Sequence, residues 1–144
     1  MGNTDIAQVL KRETEAWNAH DADGVAACYA EDAVLSDVGL PEPLRGREAI
    51  RDSVAGYLAA FSDFQAEDVG EPIVSGNRAA QEWKVTGTND GELMGIPPTG
   101  KSVVVSSSIV SRFDGGKWAE DWVLIDTLGM LQQLGVIPAP GQPT

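Results

Sequence analysis

Residues 113–135 read FDGGKWAEDWVLIDTLGMLQQLG, and this stretch carries the clearest fold signal in the chain. The pair Gly115–Gly116 predicts a tight turn, which leads into an aromatic-rich strand at 117–125 and then into an apolar tail. Two aspartates, Asp121 and Asp126, lie among tryptophans and aliphatic residues here. Removing a carboxylate from water raises its pKa toward neutrality, where a general acid or base works best. This segment is therefore the first place to look for chemistry.

Extended strands are also predicted upstream of this segment. They lie at 64–74, 78–88 and 101–113. Gly76–Asn77 and a loop rich in glycine and proline separate them. Because successive strands joined by short turns form hairpins, the pattern predicts an antiparallel sheet.

Helices are predicted mainly before these strands. Apolar residues recur at helical spacing over 4–20 and over 45–61. Between them, a shorter helix at 21–29 begins at an aspartate cap and is followed by a short strand at 33–36. This order predicts an α+β domain in which helices cover one face of a strongly bent sheet, and such a sheet leaves a hollow.

Composition narrows the class of partner. The 144 residues suit one domain, which we place at 1–137, followed by a flexible tail rich in proline and glycine at 138–144. A net charge of −12 with ten Lys and Arg residues argues against nucleic acid and anionic membranes. It favours a neutral, apolar small molecule.

No signal peptide or membrane span is predicted, and the single Cys28 permits no internal disulfide, so we expect a cytoplasmic protein.

Three segments, in order, resemble the SnoaL-like polyketide cyclase family of the nuclear transport factor two-like superfamily. They read AWNAHDADGVAACYAEDAV at 16–34, TGTNDGELMGIPPTGK at 86–101 and GGKWAEDWVLIDTLGMLQQLG at 115–135. The resemblance implies a cone-shaped, cystatin-like α+β barrel, with a curved antiparallel sheet packed against three N-terminal helices. It also implies an apolar pocket between sheet and helices, no metal or organic cofactor, and frequently a homodimer formed through the sheet.

The same resemblance implies that an aspartate inside the pocket catalyses an intramolecular aldol closure. Asp126 is similar in position to an aspartate of the limonene epoxide hydrolases, and Asp121 lies where many SnoaL-like sequences carry His. The Arg-x-Asp element of those hydrolases is absent at 81–84, which reads Gln-Glu-Trp-Lys. Asn89 also stands where related sequences often have His.

Strand geometry gives each catalytic candidate two interpretations. Asp121 and Asp126 are five positions apart and should point to opposite faces, so they do not form a pair. Asp126 shares a face with Trp122, as expected of a pocket wall, or else it caps the segment 127–134. Asp121 is either a pocket residue or half of an ion pair across the sheet. The partners open to it are Lys84, Lys101 and Arg112.

Several other residues are candidates for binding a flat, multi-ring substrate. The aromatic and thioether candidates are Trp17, Phe61, Phe64, Trp83, Met94 and Trp122. Each of them could equally be ordinary core, and the loop around Met94 could close the pocket mouth or form a rigid turn. Asp37 and Asn89 are candidates for polar contacts, or for turns. His20 is expected to stabilise a helix end and Cys28 to be a buried structural thiol.

These observations lead to a cofactor-independent acid/base enzyme acting on an apolar, neutral small molecule, most concretely an intramolecular aldol cyclase. One alternative is a binding protein that holds a small molecule in the same hollow without turnover. A second alternative is an epoxide hydrolase or isomerase of the limonene epoxide hydrolase type.

Overall fold

The fold is that of a computed structural model that describes residues 3–138 and residue 141, so most of the predicted tail at 138–144 lies outside the described residues. The described residues form four helices and seven strands. In order they are α1 Asn3–Asn18, α2 Ala22–Ala26, β1 Tyr29–Asp37, β2 Leu44–Arg45, α3 Arg47–Ala60, β3 Gln65–Asp68, β4 Ile73–Ser75, β5 Arg78–Thr88, β6 Ser102–Asp114, β7 Lys117–Ile125 and α4 Thr127–Gln133. The α+β class is confirmed. No helix within residues 3–138 is both long and apolar enough to traverse a bilayer.

The two long helices form where their apolar stripes predict them. On α1 the residues Ile6, Val9 and Leu10 are buried at helical spacing, and on α3 Ile50 and Val54 are buried in the same cluster. Burying each of these side chains contributes on the order of 2 kcal/mol. The helices therefore cover the inner face of the sheet because only that surface removes their apolar stripes from water.

The sheet is mixed, which corrects the predicted antiparallel arrangement. Its strand order is β2-β1-β7-β6-β5-β3, with β4 also paired to β5, and β1 runs parallel to β7. The other pairings are antiparallel. A turn signal reports the direction of strands that are neighbours in sequence, whereas β1 and β7 are joined through nearly the whole chain. Hairpin turns therefore give no information about the parallel pairing of β1 with β7.

Two strand boundaries also differ from the predicted ones. The expected strand at 64–74 divides into β3 and β4, and both pieces pair with β5. Gly70, at φ 75°, and Pro72 lie in the break and interrupt the ladder. The first strand begins at Tyr29 rather than at Ala33, because the short helix ends at Ala26.

Strict alternation along β6 defines an inner and an outer face of the sheet. Every second residue from Val103 to Phe113 is buried, and most of the residues between them are exposed. The inner face packs on the helices, while Val104 and Val110 on the outer face face solvent. The sheet thus has one covered face, and the site lies beneath it.

The end of α1 is tied to β3 by polar side chains. Asn18 accepts from the Ala66 N–H at 2.7 Å and donates to the Ala66 carbonyl at 2.9 Å, as a neighbouring strand would. The ring of His20 bonds the Phe64 carbonyl at 2.9 Å through Nε2, which must therefore carry the hydrogen. His20 thus holds the loop after α3 rather than the end of its own helix.

Gly91 is the position where the backbone tolerates no side chain. Its N–H donates to the Ala60 carbonyl at 3.2 Å, and an added Cβ would collide with the carbonyl oxygen of Ala59. Gly56, on the exposed side of α3, has open space around it. We expect Gly91→Ala to lower the free energy of unfolding by at least about 2 kcal/mol, and Gly56→Ala to raise it by about 0.5–1 kcal/mol. Urea unfolding of both variants measures the difference, and equal midpoints would contradict it.

Candidate functional site

A cavity of about 120 Å³ lies between the inner face of the sheet and helices α1 and α3. Its wall is mostly apolar. Its apolar lining includes Trp17, Leu35, Ile50, Val54, Phe61, Phe64, Trp83, Val85, Val103, Val105, Ile109, Val123, Ile125 and Met130. Its polar or ionisable lining residues are Glu13, Tyr29, Asp37, Ser53, Tyr57, Thr86, Ser107 and Asp121. An apolar hollow with a few convergent polar groups is the usual form of a small-molecule site.

Asp121 points into this cavity from β7. Its side chain is 3% exposed, and its two oxygens accept hydrogen bonds from the Tyr29 hydroxyl at 2.8 Å and the Ser111 hydroxyl at 3.0 Å. Ser111 is its direct cross-strand partner on β6. The expected ion pair across the sheet does not form, since Arg112 pairs with Glu120 instead. Asp121 is therefore a buried carboxyl held by hydroxyl groups.

Burial raises the pKa of Asp121 to about 7. Hydrogen bonds from Tyr29 and Ser111 oppose part of this rise, because they stabilise the ionised form. The nearby Trp118 indole N–H also lowers this pKa, although it forms no hydrogen bond in the structure. A carboxyl group with a pKa near neutrality can both take up and release a proton at physiological pH.

Glu13 is a site residue that the sequence analysis missed. It is 3% exposed, lines the cavity from α1, and lies 3.2 Å from the hydroxyl oxygen of Tyr29. Burial first, and then the charge of Asp121, raise its pKa well above the ordinary value. One signal was present: Glu13 follows Ile6, Val9 and Leu10 on the apolar stripe of the helix, where a solvated glutamate is not expected.

Most of the predicted aromatic candidates line the cavity together. Trp17 stacks on Phe64 with ring centroids 4.9 Å apart, and Trp83 meets Trp17 edge-on at 6.1 Å. Phe61 also lines the wall. Asp37 also lines the cavity. Its Oδ1 accepts a hydrogen bond from the Gly39 N–H at 2.8 Å, so the same side chain stabilises a turn.

Asp126 lies outside the cavity. Its Oδ1 accepts from the Gly129 N–H at 2.9 Å and caps α4, and it borders a shallow groove on the outer face of the sheet. Asp121 and Asp126 point to opposite faces, as strand alternation predicts, but the face shared by Asp126 and Trp122 is the outer face. The expectation that this face forms the pocket wall is wrong. Alternation along a strand divides residues between two faces, but it does not say which face the helices cover.

Three further candidates also lie away from the cavity wall. Asn89 is fully buried and bonds the Ala60 and Gly91 carbonyls and the Thr99 N–H, so it organises the loop after β5. Met94 is exposed at the tip of that loop with φ 48°. Trp122 lies on the outer face, and Cζ of Arg78 lies over its indole, 5.2 Å from the ring centroid.

Cys28 has the structural surroundings that were expected of it. The thiol is buried and bonds the Gly24 carbonyl at 3.6 Å, and burial raises its pKa. A raised pKa reduces the fraction of reactive thiolate, and the side chain is not among the residues that line the cavity.

The comparison with known protein families agrees with this geometry. The model of the SnoaL-like polyketide cyclases matches residues 7–134, which include every polar group of the site described above. The chain belongs to the SnoaL-like polyketide cyclase family. Membership supports a cyclase-type function at the level of the family.

Solved structures show the same fold. AclR from Streptomyces galilaeus, a proposed hydroxylase, is 28% identical with a TM-score of 0.81, over 94% of this chain and 83% of that one. IdmH from Streptomyces antibioticus, a proposed polyketide cyclase, is 29% identical with a TM-score of 0.75, over 89% and 96%. A proposed SnoaL-like polyketide cyclase from Jannaschia sp. CCS1 is 17% identical with a TM-score of 0.84, over 94% of each chain. This last similarity concerns the fold alone.

The raised pKa of Asp121 predicts an unusual dependence of stability on pH. Between its ordinary value of 3.8 and about 7 the folded state keeps a proton that the unfolded state releases, so this contribution to stability is lost as pH rises. We expect the stability of Asp121→Asn relative to wild type to rise by roughly 2–3 kcal/mol from pH 5 to pH 8.

Urea unfolding at several pH values measures this trend. Asp126→Asn, which keeps a side chain able to cap α4, is the matched control and should follow the wild-type curve. Parallel curves for wild type and Asp121→Asn would show that Asp121 has no raised pKa.

Proposed function

We propose that the chain is a cofactor-independent acid/base enzyme that closes a ring in a polyketide-type substrate by intramolecular aldol addition, with Asp121 as the proton-transfer group. This proposal depends most on Asp121, a residue that is 3% exposed at the wall of an apolar cavity and whose carboxyl has a pKa of about 7. Family membership supports the cyclase type of reaction.

In this mechanism Asp121 takes a proton from an acidic carbon between two carbonyl groups. The resulting enolate attacks a ketone carbon of the same molecule, and the new alkoxide receives the proton back from Asp121. Each carboxylate oxygen accepts one hydrogen bond from Tyr29 or Ser111 and keeps a second acceptor position for the substrate proton. Those two bonds fix the carboxylate orientation, so that little reorganisation is needed during proton transfer.

The wall supports a neutral, largely apolar substrate. The rings of Trp17, Phe64 and Trp83, which pack against one another, provide a large apolar area in this wall. Ser107 lines the cavity on β6, four residues from Ser111, so a second polar point lies roughly 13 Å from the carboxyl along the strand. Ser107 and Tyr57 line the cavity and are available to donate hydrogen bonds to substrate oxygens.

Asp121→Asn should abolish proton transfer while the cavity stays intact. We expect a 10²- to 10⁴-fold loss of rate, because the amide cannot accept the carbon-bound proton. The probe is a panel of neutral multi-ring 1,3-dicarbonyl ketones in D₂O, with enzyme-dependent exchange of the acidic C–H read by mass spectrometry and ring closure read by chromatography.

The control for this assay is Asp126→Asn, which should keep wild-type rates because Asp126 lies on the outer face. Full activity of Asp121→Asn would overturn the mechanism. Binding of the ketones by wild type without exchange or closure would favour the non-catalytic binding protein. Turnover of an epoxide instead would favour a hydrolase, for which the strand at 81–84 supplies no arginine.

The outer face of the sheet is the surface on which we propose that a second copy of the chain packs. Val104 and Leu124, on neighbouring strands of this face, are 56% and 57% exposed. Val110, Trp122 and Leu128 extend the apolar area. Exposed apolar side chains grouped on one face of a sheet often mark an interface, and the family resemblance implies a homodimer through the sheet.

Leu124→Lys should dissociate this homodimer, because it places two charges at the centre of a symmetric contact. Ile73→Lys is the control, since Ile73 is 72% exposed on β4 at another part of the sheet. Sedimentation velocity measures the outcome. We expect a dimer for wild type and Ile73→Lys and a monomer for Leu124→Lys, and a monomeric wild-type chain would contradict the proposal.

A further inference from the structure

We propose that Glu13 and Asp121 share one proton through the phenol of Tyr29, and that Glu13 thereby acts as a positioning residue that sets whether Asp121 is a base or an acid. The inference rests on the proposed function, because that function assigns proton transfer to Asp121. It adds to the site a second titratable carboxyl, from a helix on the opposite side of the cavity.

The number of hydrogens at Tyr29 supports this sharing. The phenol oxygen lies 2.8 Å from Oδ2 of Asp121 and 3.2 Å from Oε2 of Glu13. A phenol carries one hydrogen and ionised carboxylates only accept, so one contact needs a hydrogen supplied by a carboxyl group. The shorter contact marks Asp121 as the stronger acceptor. Tyr29 therefore donates to Asp121, and a protonated Glu13 donates to the phenol oxygen.

Burial and charge favour a single negative charge in this cluster. Glu13 and Asp121 are each 3% exposed, and no Lys, Arg or His within residues 3–138 forms an ion pair with either. The other ionisable groups electrostatically coupled to Glu13 are Asp68 on β3 and Cys28 after α2, and neither supplies a positive charge. Two ionised carboxylates here would each bear a large desolvation cost without a counter-ion.

The phenol itself stays neutral during the exchange. Burial, followed by the charges of Asp121 and Glu13, raises the pKa of Tyr29 well above its ordinary value. The proton therefore moves by a double shift. Glu13 gives its hydrogen to the phenol oxygen while the phenol gives its own to Asp121, so one O–H bond breaks at Glu13 and one forms at Asp121. The negative charge moves the other way, and no proton enters or leaves the site.

This exchange gives the site two forms of equal total charge. In one form Asp121 is a carboxylate that can deprotonate a carbon acid, and in the other it is a carboxylic acid that can protonate an oxygen. An aldol closure needs both forms in turn. Glu13 thus buffers the charge of Asp121 inside a mostly apolar cavity.

The test is an NMR titration of the Asp121 carboxyl in protein labelled with ¹³C at aspartate. A neutral Glu13 predicts that Glu13→Gln, which is uncharged and still able to donate to Tyr29, changes the acid dissociation constant of Asp121 by less than about threefold. An ionised Glu13 predicts a rise of more than about tenfold, because a like charge is removed, and that result would overturn the proposal.

Tyr29→Phe is the second variant in this titration. It removes the donor to Asp121, so we expect the acid dissociation constant of Asp121 to fall by about tenfold. No change would show that the phenol does not couple the two carboxyl groups, which also overturns the proposal. The size of the aspartate signal separates a shared proton from a Glu13 that only stays protonated: sharing gives Asp121 a smaller ¹³C shift change in its first titration step in wild type than in Glu13→Gln, and equal changes would overturn the proposal.

A measurement on the wild-type chain keeps the proposal falsifiable if a variant fails to fold. At pH 8 we expect an infrared C=O stretch of a protonated carboxylic acid that moves when glutamate is labelled with ¹³C. Absence of that band overturns the proposal. Neither measurement uses a substrate, so the two proposals fail separately. If the titration gives the expected result but no substrate is turned over, only the aldol function is overturned. If substrate is turned over but Glu13 is ionised, only the shared proton is overturned.

Discussion

The hydroxyl group of Tyr29 links three parts of the molecule at one point. Glu13 comes from α1, Tyr29 begins β1, and Asp121 lies in the middle of β7. Each of these side chains is nearly inaccessible to water, and each would be costly to bury alone. Their mutual hydrogen bonds make the burial tolerable. The helix, the first strand and the last strand are thereby held in one arrangement around the cavity.

The surroundings of Tyr29 fix the position of its hydroxyl group. The phenol ring stacks on Trp118 with centroids 5.3 Å apart, and Trp118 in turn contacts Phe113 at 4.8 Å. The Tyr29 carbonyl accepts two hydrogen bonds from the Arg47 guanidinium, at 2.7 and 2.9 Å. Backbone and ring are therefore both held, and the parallel pairing of β1 with β7 places this strand beside the one that carries Asp121. The same packing that builds the core also orients the site.

Local patterns in the sequence predicted most of the elements but only part of the site. The stripes of α1 and α3 and the glycine turns before β7 follow from residues close together in the chain, so they could be read directly. The pairing of β1 with β7 depends on residues about 90 positions apart, and no local signal specifies it. Asp121 and Asp126 were separable by parity, yet choosing the buried one required knowing which face the helices cover. Glu13 was overlooked because a glutamate on a helix is usually solvated.

The buried carboxyl pair is more easily understood as a functional feature than as a stabilising one. With a pKa raised to about 7, Asp121 destabilises the folded state by roughly 4 kcal/mol at alkaline pH relative to an unperturbed carboxyl. An apolar or amide side chain at the same place would avoid this cost, and a protein that only holds an apolar molecule has no need for the charge. Proton transfer does need it, since a carboxyl fully exposed to water would be too weak a base. The instability at Asp121 and the basicity of Asp121 have the same cause, which is the removal of its carboxyl from solvent.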